Sequence, residues 1–98
     1  MNTKRVKTYK LIIKGKVQDV GFRYWFKNLA ISLKLSGYIM NRYNNDEVET
    51  IVQGNMVDIL EITEKSKIGP DLAMVEEVIS KQIINKVQYK EFKIIYKN

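Results

Sequence analysis

The sequence predicts an α+β domain, two helices packed on one face of an antiparallel sheet, and three observations predict it. Alternating apolar and polar residues mark strands near residues 7–14, 37–42, 47–53, 75–84 and 89–96. Two stretches between them carry apolar residues at helical spacing. The chain has 98 residues, 45% of them hydrophobic, which suits one domain, residues 1–98, with a single modest core.

Each element has its own local cause. In the first strand Tyr9, Leu11 and Ile13 alternate with Thr8, Lys10 and Lys14, and Ile12 adds a second apolar face. A loop from Gly15 to Gly21 carries the chain into a helix whose stripe is Phe22, Trp25, Phe26, Leu29, Ala30 and Leu33. That helix starts near Gly21 or Phe22 and is expected to end near Leu35-Ser36-Gly37, where Gly37 breaks the pattern. The stretch GYIMN reads as the second strand and EVETIVQ as the third. The polar turn between them allows Asn44-Asn45-Asp46 to take φ > 0 or Asx geometry, which makes the pair a hairpin. Asn55 is a suitable N-cap for the second helix, with Asp58 three residues on. Its stripe is Ile59, Ile62, Thr63 and Ser66, and Gly69-Pro70 stops it. MVEEVISKQII is a further strand, NKVQ a turn, and YKEFKIIY a last short strand. The order β-α-β-β-α-β, with an extra edge strand, is that of a ferredoxin-like sandwich. That architecture hosts many unrelated functions and does not choose among them.

Composition narrows the chemistry. The chain has no cysteine and no histidine, which excludes disulfides, thiol chemistry, Ser-His-Asp arrangements and the usual zinc sites. No apolar run approaches the roughly 20 residues that cross a bilayer. The apolar run behind the basic N-terminus, Leu11-Ile12-Ile13, is too short for a secretory signal, so a cytoplasmic location is expected. Seventeen basic against 11 acidic side chains leave a net charge of +6, which favours anionic partners. The charges are spread along the chain, and a diffuse balance of this kind also serves solubility alone.

Arg23 is the one charge whose place is unusual. It stands in the first turn of a helix, where unpaired N–H groups and the positive end of the macrodipole suit acidic residues. Either it is a solvated charge on the polar face, or it joins those N–H groups in holding an anion. The loop before it, bracketed by Gly15 and Gly21, is either a plain connection or a curl whose N–H groups face inward as an anion nest. No Lys-Ser/Thr follows the second glycine, so it is not a Walker A loop.

The stretch GKVQDVGFR resembles the signature of the acylphosphatase family, G-x-V-Q-G-V-G-F-R, at every defined position but one. SGYIMN resembles that family's second segment, and EVE and GP fall where the family has them. The resemblance covers nearly the whole chain. Met40 stands where a basic residue is usual, and the turn after Asn41 is one residue longer. By this resemblance Arg23 binds the substrate phosphate, Asn41 orients the attacking water, and the backbone of Gln18, Asp19, Val20, Gly21 and Phe22 forms the phosphate cradle. The implied reaction is metal-independent hydrolysis of a small-molecule acyl phosphate to a carboxylate and inorganic phosphate, by a monomer, with no metal or organic cofactor.

The residues suit that chemistry. The leaving carboxylate has a low pKa, so no strong general acid is required, and phosphoryl transfer is helped mainly by positioning and charge neutralisation. Read on its own, Asn41 could equally be a polar residue ending a strand. Asp19 is the departure, because the family has glycine there. A carboxylate about 5 Å from a phosphate charge, at an effective dielectric near 20, opposes binding by roughly 3 kcal/mol, and screening removes most of that if it faces water. A side chain at φ > 0 in an inward-facing nest points away from the amides, so Asp19 is expected to face solvent.

Two other classes stand beside the enzyme. One is a phosphate-binding or accessory module that has lost catalysis. The other is an RNA-binding sheet, for which the net charge and exposed aromatics such as Tyr38 speak, but no aromatic-rich central-strand signature is present, so nucleic acid is not expected as a partner. Acylphosphatase-like domains also occur within larger hydrogenase-maturation proteins. With no zinc-segment cysteines, a free-standing domain is expected.

Overall fold

The computed structural model describes residues 6–44, 46–84 and 86–96. Its elements follow in the order β1 (Val6–Lys16), α1 (Phe22–Ser32), β2 (Ser36–Asn41), β3 (Glu47–Asn55), α2 (Met56–Ser66), β4 (Met74–Gln82) and β5 (Phe92–Ile95). The strands lie side by side as β4-β1-β3-β2-β5. β1 pairs antiparallel with β3 and β4, and β2 antiparallel with β3, as the sequence predicts. The extra edge strand departs from that pattern: β5 runs parallel to β2, so the sheet is mixed.

The reason is topological. β4 and β5 occupy opposite edges, so the chain between them must cross the sheet. It crosses the face turned away from the helices. Ile83 N–H donates to the Thr8 carbonyl at 2.8 Å as it leaves β4. Gln53 then holds the crossing from β3: its Nε2 donates to the Val87 carbonyl at 2.8 Å and its Oε1 accepts from Tyr89 N–H at 2.9 Å. Tyr89 lies edge-on to Tyr38, with ring centroids 6.1 Å apart. Tyr38 is therefore half-buried, not the free aromatic an RNA-binding sheet needs. The strand expected over residues 89–96 shrinks to Phe92–Ile95 because the residues before it belong to this crossing.

The helices cover the other face. Leu11 and Ile13 of β1, Ile39 of β2, Val48 and Val52 of β3, and Phe92 of β5 pack against Phe22, Phe26, Ala30, Ile59 and Ile62. The Phe26 and Phe92 rings stand 5.6 Å apart. Full burial of one such aromatic is worth about 1.5–3 kcal/mol. The expected stripe of α1 divides in two: Phe22, Phe26 and Ala30 are buried, whereas Trp25, Leu29 and Leu33 are partly covered.

α1 ends earlier than its apolar spacing suggests. Lys34 takes φ 59°, Lys34 N–H donates to Ile31 at 3.0 Å, and Leu35 N–H donates to Ala30 at 2.9 Å. This is a Schellman closure with lysine in the left-handed place usually given to glycine. Gly37 serves a different purpose. It lies inside β2 at φ 135°, where a Cβ would stand 1.9 Å from the Ile51 carbonyl oxygen. Asn55 occupies the N-cap of α2 as expected, but its side chain makes no capping hydrogen bond. In the β2–β3 turn neither Asn44 nor Asp46 takes φ > 0; Asn45 lies outside the described residues. Among the described residues no helix is long and apolar enough to cross a membrane.

Candidate active site

The signature loop leaves β1 at a bulge. The pairing of β1 with β4 shifts register between Lys14 and Gly15, and Gly15 N–H turns to the Asp46 carbonyl at 2.9 Å. Beyond it Asp19 takes φ 60° and Gly21 takes φ 78°. Left-handed residues separated by one position curl the backbone so that successive N–H groups converge. Gly21 is the N-cap of α1 and offers no side chain, and the first turn holds no acidic residue. Trp25 N–H reaches the Gly21 carbonyl at 3.0 Å and begins the helical ladder. Every backbone N–H from Gln18 through Tyr24 is left without a protein acceptor among the described residues. So long a run of free donors, at the positive end of a helix, attracts an anion.

Arg23 adds the charge. Its guanidinium carbon lies 5.0 Å from the centroid of the Tyr96 ring, and no carboxylate among the described residues pairs with it. The stacking holds the guanidinium without neutralising it. Arg23 lines a pocket of about 140 Å³ together with Val17, Asp19, Gly21, Phe22, Tyr24, Ile94 and Tyr96. Asp19 is exposed, as expected, yet it belongs to this lining. The pocket thus carries one cation and one anion, neither paired with the other.

Asn41 does not line that pocket, but it lies beside it. β2 pairs with β5 in the register Met40 with Ile95, so Asn41 and Tyr96 follow next on neighbouring strands. By alternation Asn41 shares the helix side of β2 with Gly37 and Ile39. Its Oδ1 is buried and has no hydrogen-bond partner among the described residues. A buried acceptor left unmatched costs about 1–3 kcal/mol, which makes this atom a candidate for a bound water or substrate. Met40 faces the opposite side of the sheet, so the residue that departs from the family's second segment does not face the cradle. Arg42, the basic side chain next to Asn41, is engaged by Glu47 and Glu49 at 3.2 Å each.

Gln18 has a role that its place in the signature did not reveal. Its side chain ties the cradle to the β2–β3 turn: Nε2 donates to the carbonyls of Arg42 at 3.1 Å, Asn44 at 2.8 Å and Glu47 at 2.8 Å. Loop and turn, far apart in sequence, are thereby held together next to Asn41. Val17, Tyr24, Ile94 and Tyr96 were missed as lining residues. Tyr24 was findable as the neighbour of Arg23, whereas Ile94 and Tyr96 enter only through the parallel pairing of β5. Among the described residues no cluster of three or more Asp and Glu side chains could hold a metal ion.

The family model described as Acylphosphatase matches residues 9–94. An acylphosphatase of Moorella thermoacetica is 41% identical over 80 residues, covering 82% of this chain and 77% of that protein. One from Vibrio vulnificus is 36% identical over 90 residues, covering 92% of this chain and 98% of that protein. The solved structure of an acylphosphatase from Coxiella burnetii superposes with a TM-score of 0.90 at 28% identity, over 97% of this chain and 98% of that one.

Proposed function

Because this chain belongs to the acylphosphatase family, we propose that it hydrolyses acyl phosphates, with the loop from Gln18 to Phe22 and Arg23 holding the phosphoryl group and Asn41 the water. The observation that supports this reading is the run of N–H groups from Gln18 to Tyr24, beside Arg23, for none of which an acceptor or acid is found among the described residues. These donors and the guanidinium neutralise charge on the phosphoryl oxygens without reorganising during the reaction. The buried Asn41 Oδ1 is free to accept a hydrogen bond from a water. That bond fixes one proton of the water and leaves a lone pair directed at phosphorus. The reaction R–CO–OPO₃²⁻ + H₂O → R–COO⁻ + H₂PO₄⁻ breaks the bond between phosphorus and the bridging oxygen. The electron pair leaves with the carboxylate, and the proton passes to a phosphate oxygen. No histidine or cysteine is needed, and the chain has neither. Every group in this scheme belongs to one chain, which supports a monomeric catalyst.

The test is hydrolysis of benzoyl phosphate with and without EDTA. We expect turnover that the chelator leaves unchanged. A folded protein that binds inorganic phosphate yet turns over no acyl phosphate supports the second reading, a binding module in which the Asp19 charge has weakened catalysis.

A further inference from the structure

Asp19 is hard to explain if the site handles the phosphoryl group alone. Asp19 belongs to the lining of the Arg23 pocket, has no partner among the described residues, and its charge opposes an anion there on a chain whose net charge is +6. No other acidic residue among those described belongs to the lining. The pocket holds about 140 Å³, room for a phosphoryl group and a few further atoms, so a longer acyl chain must leave through its mouth. Four lining residues are exposed there: Asp19, Gly21, Tyr24 at 65% and Tyr96 at 70%. A tyrosine ring in water offers a face that attracts cations, and the Tyr96 ring already carries the Arg23 guanidinium at 5.0 Å. The way out of the pocket therefore passes an unpaired acidic residue and the ring of Tyr24, which suits a positive charge.

We propose that Asp19 selects acyl phosphates whose acyl group carries a positive charge a few bonds from the carbonyl, such as an ammonium-bearing acyl chain. This rests on the reading of the site as an acyl phosphate hydrolase and adds its substrate class. A zwitterionic substrate gains at Asp19 part of what its phosphate loses there. A neutral acyl phosphate only loses.

The experiment compares two substrates of the same shape, 4-(trimethylammonio)butanoyl phosphate and 5,5-dimethylhexanoyl phosphate, on the wild type and on Asp19→Asn. Asparagine tolerates φ near 60° and keeps the side chain's size, and circular dichroism checks the fold. The quantity read is the ratio of kcat/KM for the charged over the neutral substrate. Dividing the wild-type ratio by the variant's cancels the different intrinsic reactivities and any general relief of phosphate repulsion. We expect a quotient of about three to ten for a solvent-facing carboxylate a few ångströms from the charge. It should fall towards one in about 0.5 M salt, because an exposed pair is screened. A quotient of one at low salt overturns the proposal. A wild type that hydrolyses neither substrate while binding phosphate overturns the hydrolase reading and this proposal with it.

Discussion

Gln18→Leu removes one amide and keeps the side chain's bulk. The amide donates to three carbonyls, those of Arg42, Asn44 and Glu47, at 3.1, 2.8 and 2.8 Å. It has two hydrogens, so the three contacts amount to two hydrogen bonds, worth about 1 kcal/mol each in net terms. The stranded carbonyls add little: Asn44 is exposed to water, and the Glu47 carbonyl keeps the Arg42 N–H at 3.1 Å. The variant should lose about 2 kcal/mol, which for a domain of this size lowers Tm by roughly 10 °C. The same amide holds the cradle against the residue that follows Asn41, so its loss should raise both KM and the inhibition constant of inorganic phosphate. Thermal unfolding followed by circular dichroism, with steady-state kinetics on benzoyl phosphate, reads both effects. An unchanged Tm refutes the hydrogen-bond argument. A lowered Tm with unchanged kinetics refutes the claim that this tie positions the cradle.

Three further outcomes follow from the site and its surroundings. Phosphate at about 100 times its Kd should stabilise the wild type by about 2.7 kcal/mol, and Arg23→Ala should lose most of that gain; equal shifts in Tm would place the anion elsewhere. Asn41→Ala should lower kcat strongly and leave phosphate inhibition nearly unchanged, because it deletes the buried acceptor that holds the water. A fall in phosphate affinity with kcat preserved would reverse that assignment. The Tyr38 hydroxyl is pushed up from 10.0 to about 12, first by burial, then by the Glu49 carboxylate, Tyr89 and the hydrogen bond to Glu49. The folded state therefore holds this proton more tightly than the unfolded chain. The resulting stability is complete below pH 10 and is lost as pH rises through about 12. Denaturation across that range should show a shallower fall for Tyr38→Phe than for the wild type, and parallel curves would refute the shift.

Periods of two and of 3.6 residues are local properties, and they sufficed to place β1 to β4 and both helices within a few residues of where they lie. The proposed anion site was legible for the same reason. Its parts, the curled loop, the helix N-terminus and Arg23, are contiguous in the chain, and a backbone at φ > 0 declares itself at Asp19 and Gly21 through residue type. The resemblance carried by GKVQDVGFR added Asn41, which nothing in its own surroundings singled out.

Everything that depends on which segments meet had to wait for the tertiary structure. The end of α1 was misread at Gly37, because the glycine's purpose is the Ile51 carbonyl of a neighbouring strand, while Lys34 made the turn. The direction of β5 follows from the crossing that Gln53 anchors, and that crossing brings Ile94 and Tyr96 to the pocket. The sidedness of β2 separates Asn41 from Met40, so that one departure from the family's pattern falls on the face away from the cradle and the other, Asp19, within the pocket. Gln18 looked like one more residue of the cradle until its amide was found on the carbonyls of a turn more than 20 residues away. A side chain's partner is chosen by the strands and loops that packing brings beside it, and residue type and local spacing carry no record of that choice.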